Sequence, residues 1–306
     1  MTRGADAPDG PPVAIARETE IFPGGAPQAI GTAYLRNGAC PLSCVYCALY
    51  RQAGDRPATG AEIARQIRSA RARLGDVAGI KLYNASSLFE ARSIRQTTDD
   101  LAAIAAEVSD LELVVVESRS EQAGRAAVLA PLLRGRLEVA IGLEVADDSL
   151  LRRLGKPTSV ARFTHAAREL GRAGILLRAF VLVQPPFVAP DRSRSLALDT
   201  FRVARDSGAR VVSLLPVVSD HAPMERLRAE GAFAEIALEA YFDVVADCVA
   251  EGGAVVLAEL GSLDRLPGCD RCRAARTAAL AALNAGGALP AVSCDRHRRP
   301  DAAAGA

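Results

Sequence analysis

The chain has 306 residues, half of them hydrophobic, enough to bury one large α/β core or two small ones. Bases and acids nearly cancel (37 against 36), and a net charge of +1 gives no global attraction to nucleic acid or to an anionic membrane. No apolar run of about 18 residues is present, which argues against a membrane-spanning helix.

Residues 1–25 are rich in Pro, Gly and Ala, lack the apolar centre of a signal peptide, and read as a flexible N-terminal arm. The protein is therefore expected to be cytoplasmic, where its seven cysteines point to metal or redox chemistry more than to disulfides. From residue 30 onward, short β-branched or apolar runs alternate with helical patterns. Strands are predicted near 30–36, 79–84, 112–117, 137–144, 175–183 and 210–216, with helices near 60–74, 97–108, 122–134, 158–173 and 194–207. In the first helix Ile63, Ile67, Ala70 and Leu74 share one stripe. Strict alternation implies a parallel sheet, whose strands are apolar on both faces. Six such units form either an open barrel or a doubly wound sheet. Past residue 217 come a polar loop, a helix near 234–251, a short strand near 254–259 and a helix near 271–285.

Cys40, Cys44 and Cys47 lie in A-C-P-L-S-C-V-Y-C-A-L-Y, a C-x3-C-x2-C pattern just beyond the first predicted strand. Ligands of parallel α/β folds gather at the carboxyl ends of strands. Three closely spaced thiolates suit an iron–sulfur cluster with one iron left open. Zinc would recruit a fourth side chain, and no further Cys or His lies nearby. A turn of small buried residues, or a partial zinc site, is the alternative.

This loop, with Tyr46 immediately before its third cysteine, resembles the hallmark of the radical S-adenosylmethionine (SAM) superfamily. The stretch I-G-L-E-V-A-D-D-S-L-L-R-R-L-G-K-P-T-S-V-A-R-F is similar to the subgroup of the elongator catalytic subunit, coproporphyrinogen dehydrogenase and the methylthiotransferases. Y-N-A-S-S-L-F-E paired with V-V-V-E-S resembles the radical SAM subunit of archaeosine synthase, a lyase acting on a modified tRNA base. The likeness covers residues 30–216. It implies an α/β fold: a partial (β/α)6 TIM-like barrel over 26–217, a C-terminal α/β extension over 218–298, and a disordered tail over 299–306.

The resemblance further implies a [4Fe-4S] cluster on Cys40, Cys44 and Cys47, with SAM bound to the open iron. Its reductive cleavage gives a 5′-deoxyadenosyl radical that takes hydrogen from a small-molecule substrate. Electrons come from an external donor such as flavodoxin or ferredoxin. SAM contacts are expected from Tyr46 and from the strand ends. Asn84 and Ser86 stand where the family often carries Gly-Gly-Glu, and an ordinary turn is the other reading of both. Glu117 and Glu144 each close an apolar strand, where a carboxylate is expensive to bury unless paired. Arg178 interrupts another apolar strand and needs a counter-charge, for which the SAM carboxylate, Glu117 and Glu144 are candidates.

Cys269-Asp-Arg-Cys272 and Cys294 form a second group. They suit a second iron–sulfur cluster or, with His297, a Cys3His zinc site. Cys248 shares a helical stripe with Leu238, Tyr241, Val245 and Val249 and reads as a core thiol. His221, after the sixth strand with Ser219 and Asp220, is a candidate catalytic proton relay, against the reading of an exposed loop histidine. The expected function is hydrogen abstraction from a small polar metabolite or a modified nucleobase or nucleoside. The alternatives are a tRNA-modifying lyase or sulfur-inserting enzyme and, from another class, a zinc-binding scaffold.

Overall fold

The structure, a computed structural model, describes residues 8–296. Eight strands lie in one sheet in sequence order: β1 (Ala14–Ile21), β2 (Pro27–Leu35), β3 (Gly79–Asn84), β4 (Leu113–Ser118), β5 (Arg136–Glu144), β6 (Leu176–Val183), β7 (Val211–Pro216) and β8 (Val255–Ala258). The β1–β2 pair is antiparallel, and every later pair is parallel. The helices are α1 (Gly60–Leu74), α2 (Thr98–Ala106), α3 (Ala126–Leu129), α4 (Asp148–Arg153), α5 (Val160–Arg172), α6 (Pro190–Asp206), α7 (Ala222–Ala229), α8 (Leu238–Glu251) and α9 (Asp270–Gly286). None is long and apolar enough to cross a membrane.

The sheet curls into a nearly closed barrel, and the charged residues inside it show why. Arg178 on β6 binds Glu20 on β1 at 2.7 Å and Glu138 on the neighbouring β5 at 2.6 Å. The first contact joins strands that are far apart in sheet order, so the sheet must bring its ends together. Lys81 on β3 binds Glu20 at 2.6 Å and also pairs with Glu18, while Arg210 pairs with Glu138. Inward positions alternate with outward ones such as Ile80, Leu82, Val139 and Ile141, which belong to the layer beneath the helices. Helix α9 packs against both β1 and β8 and covers the seam between them.

Local sequence sets the helix starts. Thr59 and Glu62 form a capping box on α1, and Thr97 and Asp100 form another on α2. The α1 stripe Ile63, Ile67, Ala70 and Leu74 is buried as its spacing requires. Each fully buried aliphatic side chain of this kind contributes about 1.5–3 kcal/mol.

Three expectations are corrected. Residues 14–21 of the supposed arm form β1, an edge strand that delivers Glu20 to the barrel interior. The helix expected over 122–134 is broken into 3-10 turns, Ser120–Arg125 and Ala130–Leu132, flanking the short α3. Gly124 and Pro131 explain the break, since glycine is entropically costly in a helix and proline lacks the N–H donor. The polar loop after residue 217 contains α7, and β8 joins the same sheet, so the C-terminal region continues the barrel.

Candidate functional site

The cysteine loop leaves the carboxyl end of β2 and folds over the turn between α4 and α5. Val45 N–H donates to the Leu154 carbonyl at 2.9 Å, and the Cys44 thiol donates to the Gly155 carbonyl at 3.6 Å. Gly155 permits this approach. Its φ is +72°, and a Cβ there would stand 3.1 Å from the Ser43 carbonyl oxygen. Cys40, Cys44 and Cys47 are free and half-buried. Burial pushes the Cys47 thiol up to about 11, with the charges of Cys44 and Cys40 adding to the effect. Burial likewise raises Cys44, against the opposing pull of Lys156.

Beneath the loop lies a buried ion pair. Glu144 ends β5 at a β-bulge with φ +66°, and its carboxylate accepts from Lys156 Nζ at 2.7 Å. Gly142 makes room for the pair, because a Cβ there would lie 2.1 Å from Glu144 Oε1 and 2.8 Å from Lys156 Nζ. Tyr46 sits beside Glu144, and burial followed by that charge raises its hydroxyl well above the ordinary phenol range. Lys156 also influences Cys44, Cys47 and Glu117, so one cation serves the whole cluster of acidic groups. Local spacing does not single out Lys156, although an arginine-rich chain carries lysine only there and at Lys81. Both lysines are held in ion pairs, and that rarity was the available signal.

The end of β3 faces the same mouth. Asn84 N–H donates to Glu117 Oε2 at 2.7 Å, and burial raises the Glu117 carboxyl to about 8. Asn37, buried in the cysteine loop, accepts the Ala85 N–H and donates to Ser93 Oγ, tying the two strand ends together. Asn84 Oδ1 and Ser86 Oγ are buried without a hydrogen-bond partner. Buried polar atoms normally have one, and an orphaned pair of oxygens suits an incoming ligand donor such as an ammonium group. Three thiols, a paired cation and two orphaned oxygens therefore fit a thiolate-bound iron–sulfur cluster with SAM beside it.

Two candidates stand elsewhere. Arg178 is 1 % exposed, and its charge is answered by Glu20 and Glu138, with Tyr83 alongside. Glu117 and Glu144 are not its partners; its counter-charges are Glu20 and Glu138 in the barrel interior. His221 is no exposed loop residue: it is 1 % exposed, with Nδ1 2.5 Å from Ser219 Oγ and its ring edge-on to Tyr50. Arg51 pairs with Asp220, which brings this corner against the turn that follows the cysteine loop.

Cys269, Cys272 and Cys294 converge, with all three sulfurs within 4.8 Å of one another. His297 lies outside the described residues. Cys248 is fully buried on α8, and burial pushes its thiol up to about 12, in keeping with a core role.

A nearly closed, largely parallel barrel of this kind is also the fold of solved radical SAM enzymes. Solved structures bear this out. Methylornithine synthase (PylB) is 15% identical, with a TM-score of 0.59 over 84% of this chain and 69% of its own. A radical SAM methyltransferase from Sphaerobacter thermophilus is 16% identical, with a TM-score of 0.53 over 82% and 77%. The archaeal Elp3 of Methanocaldococcus infernus is 11% identical, with a TM-score of 0.50 over 65% of this chain; the chain spans about half (51%) of that structure's length. At these identities the likeness is one of fold. No family model matches the sequence, and no curated protein does either.

Proposed function

We propose that the protein is a radical SAM enzyme whose [4Fe-4S] cluster is held by Cys40, Cys44 and Cys47. The observation that carries this reading is the setting of the cysteine loop. It lies over the buried Glu144–Lys156 pair, and Asn37 at its start accepts the N–H of Ala85, the residue between Asn84 and Ser86, whose side-chain oxygens are orphaned. When bound, a reduced cluster supplies the electron that cleaves SAM.

The chain's own residues bind and orient. Asn84 Oδ1 and Ser86 Oγ would accept from the SAM ammonium. Lys156, held in place by Glu144, would offset the negative charge of a thiolate-bound cluster and of the SAM carboxylate. Glu117, near neutral at pH 7, keeps the Asn84 backbone at its station without adding a second full charge beside Glu144. Tyr46 packs under the loop and limits the access of water to the thiolates.

The substrate in this reading is a small polar metabolite, or a modified nucleobase or nucleoside, entering the same mouth. A net charge of +1 favours a small molecule over a long polyanion. His221, held by Ser219 next to the turn after the cysteine loop, is the residue available there for proton transfer. SAM binding tests the reading. After anaerobic reconstitution, SAM should perturb the electron paramagnetic resonance signal of the reduced cluster. Asn84→Ala should weaken that titration by roughly tenfold, the worth of one hydrogen bond to a charged group. A signal indifferent to SAM would contradict it.

A further inference from the structure

The second cysteine group is built differently from the first. Cys269 is the residue preceding α9, Cys272 lies in that helix's first turn, and Cys294 comes from the segment beyond the helix, where residues 288–296 form no helix or strand. Their sulfurs nevertheless all lie within 4.8 Å of one another. A tetrahedral ion with zinc–sulfur bonds of about 2.3 Å places its thiolates about 3.8 Å apart. In a cubane each thiolate binds its own iron, and the irons are separated by bridging sulfides, so the thiolate sulfurs stand much further apart. So compact a trio matches one ion and would have to spread to hold a cluster.

The surroundings support an anionic metal–thiolate centre. Arg276 follows Cys272 by one helical turn, is 4 % exposed, and directs Nε to the Cys272 sulfur at 3.4 Å. Its guanidinium is fixed over the Phe242 ring at 4.8 Å, so the buried cation is aimed at the sulfur by packing. Three thiolates on a divalent ion carry one excess negative charge, and this guanidinium offsets it. The start of α9 adds the positive end of a 17-residue helix. Glu239 on α8 accepts the Cys269 N–H at 2.6 Å and lies 3.7 Å from Cys272 Sγ, orienting both residues from outside the trio.

We infer that Cys269, Cys272 and Cys294 bind a single zinc-class ion, its fourth tetrahedral position taken by a solvent molecule, that fastens the C-terminal segment to α9, the helix covering the seam between β1 and β8. Its role is structural, distinct from the cysteine-loop chemistry at the mouth. Leu289 and Val292, packed on the core just before Cys294, show the segment already lying against the barrel that the ion would lock.

The test is zinc and iron analysis of the full chain, as purified and after anaerobic treatment with iron and sulfide. The parent and Cys44→Ala should each carry one zinc per chain. Cys294→Ser, which alters only the segment beyond the last helix, should lose that zinc, keep its iron and melt at lower temperature. Cobalt(II) in place of zinc should give the intense visible bands of tetrahedral thiolate coordination in the parent and not in Cys294→Ser. A second set of four irons that disappears in Cys294→Ser would overturn the inference, as would equal zinc in parent and variant. Failure of the radical SAM reading is separable, because it removes iron from the cysteine loop and leaves the zinc count unchanged.

Discussion

The Lys156 ammonium lies 2.7 Å from the Glu144 carboxylate, and the only side chain that fits at Gly142 between them is a hydrogen atom. This pair supports the cysteine loop from below. Breaking one side leaves a buried charge uncompensated, which typically costs about 3–5 kcal/mol. Lys156→Met should therefore destabilise the protein by that order and weaken SAM binding. Glu144→Gln combined with Lys156→Met should cost clearly less than the two single changes added together. Urea denaturation of the four proteins checks this, and simple additivity would mean that the pair is not coupled.

Gly142→Ala tests the same pair without touching a charge. A Cβ 2.1 Å from Glu144 Oε1 must push the carboxylate off Lys156. A loss of about 1–3 kcal/mol is expected from such overpacking, together with weaker SAM binding. A variant of parental stability and affinity would show that the close approach is unimportant.

Arg178 provides the contrast. With Glu20 and Glu138 as partners inside the barrel, Arg178→Met should destabilise by about 3–5 kcal/mol. The SAM affinity of the molecules that remain folded should not change. Burial works against ionisation of Glu20, but Arg178 and Lys81 hold its carboxyl down at about 2. Its folded value lies below the ordinary one, so its contribution is present above about pH 4.5 and is lost as pH falls towards 2. The parent should lose that increment between those values, and the Arg178→Met variant, which keeps Lys81 beside Glu20, should lose less of it, as thermal melts across the acid range would show.

Glu117 has the opposite sign. Burial raises its carboxyl from 4.5 to about 8, so the folded state binds this proton more tightly than the unfolded chain. Its favourable contribution is complete below about pH 4.5 and is lost as pH rises through about 8. Glu117→Gln, neutral at every pH, should therefore gain stability relative to the parent as pH rises from 5 to 9. A difference independent of pH would contradict the assignment.

Much of the barrel is legible in the sequence because its strands are continuous apolar runs and its helices carry regular stripes. The predicted span 79–84 coincides with β3, and the Ile63 to Leu74 stripe lies where its spacing puts it. β1 is not legible as a strand because an edge strand reading A-I-A-R-E-T-E-I has too few apolar residues to stand out, and Glu20 becomes meaningful only when Arg178, far along the chain, reaches it. The cysteine loop announced itself by spacing. Lys156 did not, since its importance depends on a bulge at Glu144 and on a side-chain-free Gly142, neither of which periodicity encodes. Burial of His221 likewise required the turn after the cysteine loop to fold against it.

The central claim is tested most directly by SAM cleavage. The parent and Cys44→Ala would be reconstituted anaerobically with iron and sulfide, reduced, supplied with SAM and assayed for 5′-deoxyadenosine. The account predicts iron–sulfur absorbance and 5′-deoxyadenosine from the parent, and neither cleavage nor a stable cluster at this loop in Cys44→Ala. A parent that takes up no cluster, or a variant that forms the product as well as the parent does, would contradict it.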